Sequence, residues 1–375
     1  MASAEKFRKE LYKYSFYIFL ISFVVAKAWG LNAIRKGYTE FAFVGCIFWC
    51  ISMICRKYGK WDIIKVIALM GVGLLSLWFS RKIGAIMPFM VIVAMKDIDV
   101  DKVIEVFAKT WVVTFLVKII GVSLRIIPSN EKVYHKVFIG DITIYDYGYW
   151  HANFFSIAYF ISIVLLCYLF EERLKWWHYI TMILLSLVMF RLTLSFTGVI
   201  ANITAVSGFF IIKQCREKSA IRIFERIMIC ISGIPLLLSF LTAFLYREGT
   251  AFWNKIYDLT NTRVKWNFEY MRAYPLTLFG QIFDGRVEYE VLDNAYLFVL
   301  QRYGVVFFIL FVAGYALLIY RFYEQRDTKK LFICVLFLFY GFIEQYIQNP
   351  FMNFSIIYFA MLVWRDVKYD ITLEK

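Results

Sequence analysis

Residues 62–79 read DIIKVIALMGVGLLSLWF. The only charges are Asp62 and Lys65, both in the first four residues. At ~1.5 Å per residue, a helix of this length crosses most of a roughly 30 Å hydrocarbon core. No strict alternation runs through it, so it does not read as a barrel strand. The same texture recurs along the whole chain. Of 375 residues, 61% are hydrophobic, 20% aromatic and only 19% charged, whereas a soluble domain carries about 25% charged residues. A soluble enzyme, a disordered chain and a collagen-like repeat are all excluded by these figures. The formal net charge of +14 reads as loop lysines and arginines near anionic headgroups or an anionic substrate, not as a nucleic-acid surface.

Working outward, twelve apolar segments emerge: 15–33, 39–55, 62–79, 83–95, 103–124, 152–170, 177–194, 195–212, 227–245, 295–320, 330–347 and 351–364. The expectation is an all-α polytopic membrane protein of about twelve transmembrane helices forming a single membrane domain over 1–375. Helices are expected because lipid leaves an open backbone no other partner. The segment 83–95 is short, which predicts either a tilted span or a tight hairpin with 62–79 through Ser80, Arg81 and Lys82. Placing the N-terminus inside puts the more basic set of loops on the cytoplasmic side, the short loop 213–226 above all. The positive-inside rule weights such short loops most, so both termini are expected to be cytoplasmic. The basic start (Lys6, Arg8, Lys9, Lys13) leads into the first segment without an A-x-A-like site, so no cleaved signal peptide is expected. The seven cysteines lie in apolar runs or basic loops, with neither a disulfide framework nor a CxxC metal spacing.

Two outer loops, 125–151 and 246–294, are too long to be simple connectors. Both are rich in Trp and Tyr, which argues against disorder. In the second, NTRVKWNFEYMRAY (261–274) predicts a short amphipathic helix, capped by Asn261 or Thr262 and ended by Pro275. Arg263, Trp266, Asn267 and Tyr270 share one face, and Lys265, Glu269 and Arg272 the next. Its arginines could either meet phosphate or simply extend to headgroups. Farther on, Asp284, Glu288, Glu290 and Asp293 supply four carboxylates, any of which could be a general base or ordinary loop polarity. Asp293 also reads as an N-cap for the segment 295–320. His151 beside Asn153 reads equally as a local hydrogen-bonding pair at a helix start or as a catalytic group.

The order of motifs has a family likeness. Arg263, then LTLFG (276–280), then LDNAY (292–296) and Tyr303-Gly304 resemble the bacterial Wzy-type polysaccharide repeat-unit polymerases (the O-antigen and capsule polymerases), which are related to O-antigen ligases. YGYWHAN (147–153) is similar to that family's G-F-x-H-P-N element: Gly148, His151 and Asn153 match, and Ala152 replaces the proline. Glu344 and Asn349 resemble its late Glu…Asn pair. One departure is Ser195-Phe196-Thr197, where Phe196 stands in place of an expected arginine; Arg191, just before it, is the candidate replacement.

The resemblance implies a glycosyltransferase-C-like fold and a metal-independent glycosyltransferase with no cofactor in the bacterial cytoplasmic membrane. Its active site would face outward. Its substrates would be polyprenyl-diphosphate-linked oligosaccharides, and its partners a chain-length regulator and a flippase. Residue chemistry is compatible with this. Breaking a glycosyl–diphosphate bond builds negative charge on the leaving group, and fixed guanidinium groups answer it with charge-assisted bonds. Arg263 and then Arg272 are the candidates, followed by Arg191 and Arg125. Asp293, Glu290 and His151 are the candidate bases. Asn153, Asn294 and Glu344 are candidate substrate contacts, as are the aromatics Tyr149, Trp266 and Tyr296, which could equally be interfacial anchors. An O-antigen-ligase-like transfer is the near alternative. A lipid-linked oligosaccharide flippase or transporter is the alternative from another class, for which Lys27, Lys65, Lys109 and Lys118 inside spans could be counted. A scaffold protein is a third.

Overall fold

The computed structural model describes residues 2–32, 37–136, 140–216, 219–260, 262–288 and 291–364. The helices begin with α1 (Ala2–Ala28), α2 (Tyr38–Ile54), α3 (Lys60–Ser80), α4 (Met87–Ala94) and α5 (Val100–Ser123). A hairpin of β1 (Glu131–Lys136) and β2 (Gly140–Tyr145) follows, antiparallel, with Glu131 opposite Tyr145. Then come α6 (Ala152–Phe170), α7 (Trp176–Thr193), α8 (Phe196–Cys215), α9 (Ala220–Ser232) and α10 (Ile234–Leu245). Two short helices, α11 (Ala251–Leu259) and α12 (Arg263–Ala273), precede α13 (Ala295–Phe298), α14 (Val305–Glu324), α15 (Thr328–Gly341) and α16 (Ala360–Val363). Among the described residues, seven helical runs are long and apolar enough to cross a bilayer: α1, α3, α6, α7, α8, the α9–α10 run and α14. The protein is a helical membrane protein. Its seven cysteines are free thiols.

The chain divides into two compact units, Met1–Arg56 with Asp101–Ile221, and Lys57–Val100 with Arg222–Lys375. In the first, α1 and α2 form an antiparallel hairpin. Gly45 lets the Phe23 ring approach so closely that a Cβ would meet it at 2.5 Å. At the hairpin's open end, Ser52 Oγ donates to the Tyr12 carbonyl and Arg8 Nε to the Cys55 carbonyl. In the same unit, Gly198 of α8 packs against Ser156 of α6. Lys213, near the end of α8, donates to the carbonyls of Glu171, Glu172 and Leu174 in the α6–α7 turn.

The second unit explains the short segment 83–95. The chain reverses at Arg81, which takes a left-handed conformation (φ 54°). It then returns through a 3-10 turn (Ile83–Ala85) and α4. Lys96 closes the hairpin by pairing with Asp62 at 2.6 Å and donating to the Lys57 carbonyl. All eight residues of α4 are buried. An element walled by protein instead of lipid need not match the bilayer thickness, which is why thirteen-odd residues suffice here. The last described turn reaches the same end: Trp364 Nε1 donates to the Ile92 carbonyl, Lys65 to the Val363 carbonyl and Arg321 to the Met361 carbonyl.

Three segments that read as continuous apolar runs are broken. Gly233 and Pro235 interrupt 227–245 between α9 and α10, because proline lacks the N–H and clashes with the preceding turn. Gly304 (φ 97°) interrupts 295–320 between a π-helical turn (Val299–Tyr303) and α14. The segment 330–347 stops being α-helical at Gly341, and the chain continues through 3-10 turns at Gln345–Gln348 and Phe354–Phe359. This irregular stretch is buried, as non-helical backbone at membrane depth must be. Asn353 holds it together: its Nδ2 donates to the Tyr315 hydroxyl and the Ile347 carbonyl, and its Oδ1 accepts from the Ser355 backbone N–H and hydroxyl.

Candidate functional site

The long loop 246–294 has its own core. Ala243 of α10, Tyr270 of α12, Tyr274 just after it, Val287, Leu292 and Leu297 of α13 form one buried cluster. As the helical spacing predicts, α12 starts after Thr262 and ends before Pro275. It buries Val264, Asn267 and Tyr270 and leaves Arg263 and Trp266 half-buried. Asn261 lies outside the described residues, and Thr262 spends its hydroxyl on Trp266 Nε1 at 3.0 Å.

Two hydroxyls on one face of α10 fix the site's frame. Thr242 Oγ1 accepts from Asn267 Nδ2 at 3.1 Å, anchoring α12. Ser239 Oγ accepts from Asn294 Nδ2 at 2.8 Å, anchoring the start of α13. Sequence reasoning passed over both; their signal was the i, i+3 spacing of polar residues in an apolar segment. Asn294 also donates to the Phe342 carbonyl, which ties in the end of α15.

This frame brings Arg263, Asp293 and Glu344 together from three distant parts of the chain. Arg263 Nε donates to Asp293 Oδ2 at 2.9 Å, and its Nη2 donates to Glu344 Oε1 at 3.4 Å. The Arg263 and Asp293 side chains each keep 20% exposure, while Glu344 keeps 5%. One guanidinium thus bridges two carboxylates, one at an open rim and one behind it. Beside it Lys265 pairs with Glu248 at 3.3 Å and Glu269 at 3.8 Å. The Glu248 hydrogen bond holds the Lys265 ammonium above the usual lysine range.

Several expected roles change. Asp293 is not the N-cap of the segment 295–320. Asn294 is: its Oδ1 accepts from the backbone N–H of Tyr296 and Leu297, leaving Asp293 to face Arg263. Asn294 is itself buried with its amide fully engaged, so it is a frame residue and not an open substrate contact. Tyr296 is buried too, its hydroxyl donating to the Leu338 carbonyl at 2.7 Å, so it offers no face to a sugar. Tyr149 is likewise buried, with its hydroxyl on the Ala28 carbonyl and its ring under Lys118. Glu290 lies outside the described residues. Arg272 is exposed and stacks on the Phe268 ring at 4.8 Å.

The remaining candidates belong to the first unit. His151 caps α6, its Nδ1 accepting from the Asn153 backbone N–H at 3.1 Å, which is the local hydrogen-bonding reading of that pair. Asn153 is half-buried in the first turn. Arg125 (φ 59°) and Arg191, in the last turn of α7, are both exposed. Ser195 caps α8 through Gly198 N–H, with Phe196 packed edge-on against Phe190 at 4.8 Å. In the loop 125–151, Asp146 organises the turn by accepting from the Asn130 and Gly148 backbone N–H groups, each at 2.9 Å, and from Asn130 Nδ2.

The LTLFG and Tyr303-Gly304 elements meet in space. Val305 and Val306 N–H, at the start of α14, donate to the carbonyls of Thr277 and Leu278. A Cβ on Gly280 (φ 89°) would lie 2.2 Å from the Arg302 carbonyl oxygen, and one on Gly304 would lie 2.4 Å from Gly280 N. Two backbones therefore press together where only glycine fits. Gly304 serves a loop-to-helix clasp, not the helix–helix packing that its position in a span suggests.

The span lysines also acquire explanations. Lys118 is buried, donates to the Trp29 carbonyl and lies 3.6 Å from the Tyr149 ring centroid. Lys27 donates to the Leu31 carbonyl, and Lys65 to the Val363 carbonyl. These ammonium groups satisfy carbonyls at chain turns. Lys109 is exposed and pairs with Glu105.

The chain matches no family model, no curated protein and no solved structure.

Proposed function

We propose that the protein is an integral-membrane glycosyltransferase of the polysaccharide-polymerase type, with Arg263, Asp293 and Glu344 at its reaction centre. The observation that carries this reading is the Arg263 bridge: one partly open guanidinium held between two carboxylates drawn from 30 and 81 positions away. The motif resemblance selects the same three positions. In this reading both substrates are polyprenyl-diphosphate-linked oligosaccharides, presented at the outer face of a bacterial cytoplasmic membrane. About twelve spans, cytoplasmic termini and a glycosyltransferase-C-like arrangement belong to the same proposal.

The step balances without a redox partner. A hydroxyl oxygen of the acceptor repeat bonds to the donor's anomeric carbon. The bond between that carbon and the diphosphate oxygen breaks, and the diphosphate lipid leaves with the electron pair. Arg263 stabilises that oxygen, since a planar guanidinium presents paired donors to phosphate. The hydroxyl proton passes to a carboxylate, and Asp293 is the better placed because it lies at the open rim. Glu344, behind it, fixes the guanidinium plane. The capping of carbonyls by Lys27, Lys65 and Lys118 weakens the transporter alternative, which needs such groups along a transport path.

Gel analysis of surface glycan from cells lacking the gene tests the assignment. Loss of the long ladder with a single repeat still attached is the expected result. Polymer accumulating on its lipid carrier would mean a ligase, and unpolymerised lipid-linked repeats trapped at the inner face would mean a flippase.

A further inference from the structure

Between α13 and α14 lies the π-helical turn Val299–Tyr303, closed by the Gly304 N–H donating to the Val299 carbonyl at 3.1 Å. Gly304 ends the winding there, so the last carbonyls of the turn lack helical donors and take others. The Tyr303 carbonyl accepts from Ser76 Oγ of α3 at 2.9 Å, and the Arg302 carbonyl from the Gln281 N–H at 3.4 Å. The turn is thereby tied to α3 and to the chain just after the LTLFG element. A π-turn winds more loosely than an α-helix and so shifts the direction in which its side chains project; such turns recur at functional sites.

The residue at its centre is Gln301. It is fully buried, and its Nε2 donates to the Tyr270 carbonyl at 2.8 Å and to the Tyr274 carbonyl at 3.2 Å. These carbonyls stand at the end of α12, where a helix leaves acceptors without helical partners. The Gln301 Oε1 is buried with no hydrogen-bond partner among the described residues. A buried acceptor left unsatisfied costs stability. Methionine would fill the same unbranched space without that cost. What the amide adds over such an apolar side chain is its pair of N–H bonds to α12.

We infer that Gln301 is a positioning residue for the Arg263 centre, holding α12 at the angle that keeps Arg263 against Asp293. The inference rests on the glycosyltransferase reading and adds to it a residue that acts through Arg263. α12 behaves as a rod with two pins. It carries Arg263 at its first position, about 16 Å from Tyr274 at ~1.5 Å per residue. Asn267 pins it to Thr242 roughly one turn from Arg263. A rod pinned at one point still swings about that point, and Gln301 supplies the second pin at the far end. Arg286 Nη1 also reaches that end, at the Ala273 carbonyl, but from an exposed side chain where water competes. Asp293 stands eight positions before Gln301. One short segment therefore carries Asp293 and also fixes the helix that carries Arg263.

The test compares the full unaltered chain with Gln301→Met in proteoliposomes supplied with lipid-linked repeats. The kcat should fall about tenfold with KM little changed, because a displaced Arg263 weakens the transition state more than it weakens substrate binding. In an Arg263→Lys background the same substitution should lower kcat by about twofold at most, since the group it acts through is already gone. Hydrogen exchange gives a readout independent of turnover: the amides of 264–268 should lose protection in Gln301→Met while those of α15 keep theirs. An unchanged kcat, a loss of about tenfold that repeats in the Arg263→Lys background, or unchanged protection of 264–268 would each overturn the inference and leave the glycosyltransferase reading standing. Should Gln301→Met not fold, Gln301→Asn takes its place with the same expectations, since it keeps the amide but is one methylene too short to reach both carbonyls. No turnover by the unaltered chain would overturn the glycosyltransferase reading and this role with it.

Discussion

Arg263 is held by two carboxylates, and its substitution acts on both. Arg263→Ala leaves Asp293 and the buried Glu344 facing one another with no cation between them. Losing one member of a buried pair costs about 3–5 kcal/mol, reduced here because Arg263 and Asp293 keep 20% exposure. Arg263→Lys separates chemistry from stability. An ammonium preserves the charge but cannot span both carboxylates while offering paired donors to a diphosphate. Polymer yield should fall by about a hundredfold or more, the usual loss for a leaving-group donor, with the thermal unfolding midpoint moving little. The glycines at the clasp behave differently. Gly280→Ala or Gly304→Ala would drive a methyl into backbone at 2.2–2.4 Å in a left-handed conformation. A destabilisation of about 3 kcal/mol or more is expected, read as a lowered unfolding temperature in detergent. Arg263, Asp293 and Glu344 stand out in the sequence because charge is rare in an apolar chain. Asn294 does not, because capping depends on a backbone geometry that Asp293 would equally permit.

At the scale of elements, the site depends on α10. Ser239 and Thr242 anchor α13 and α12, and with them Asp293 and Arg263. Ser239→Ala with Thr242→Val leaves two buried amides short of a partner. Each such loss costs about 1–3 kcal/mol, and the Arg263–Asp293 contact should loosen. Asn294→Ala removes the cap of α13 as well, so its cost in unfolding free energy should exceed the ~1 kcal/mol of a simple cap. Reduced polymer yield in the Ser239/Thr242 variant, at a temperature where it remains folded, is the readout. Apolar periodicity makes α3, α6, α8 and α14 legible, and the helical face of 261–274 predicts α12. The breaks at Gly304 and Gly341 are not legible, because an apolar run reads the same whether it is one span or a helix clasped by a distant loop. The β1–β2 hairpin is not legible either, because EKVYHK and GDITIY are short and mixed in polarity, without a sustained apolar alternation.

For the whole molecule, composition alone establishes a helical membrane protein, and seven helical runs have the length and apolarity to cross a bilayer. Which side faces outward rests on the basic loops. Within the second unit, Lys57, Lys96 and the segment 361–364 lie at one end of the α3–α4 hairpin, so the end of the described chain shares a side with the start of α3. A reporter fused after Lys375 should therefore be cytoplasmic. An external signal would place the Arg263 centre on the side where the proposed substrates are absent. The most direct measurement is polymerisation by the purified protein in proteoliposomes supplied with lipid-linked repeats, with the unaltered chain beside Arg263→Lys. The account predicts a ladder of products from the unaltered chain and almost none from Arg263→Lys at equal folded concentration. A ladder of the same length and yield from Arg263→Lys would contradict it.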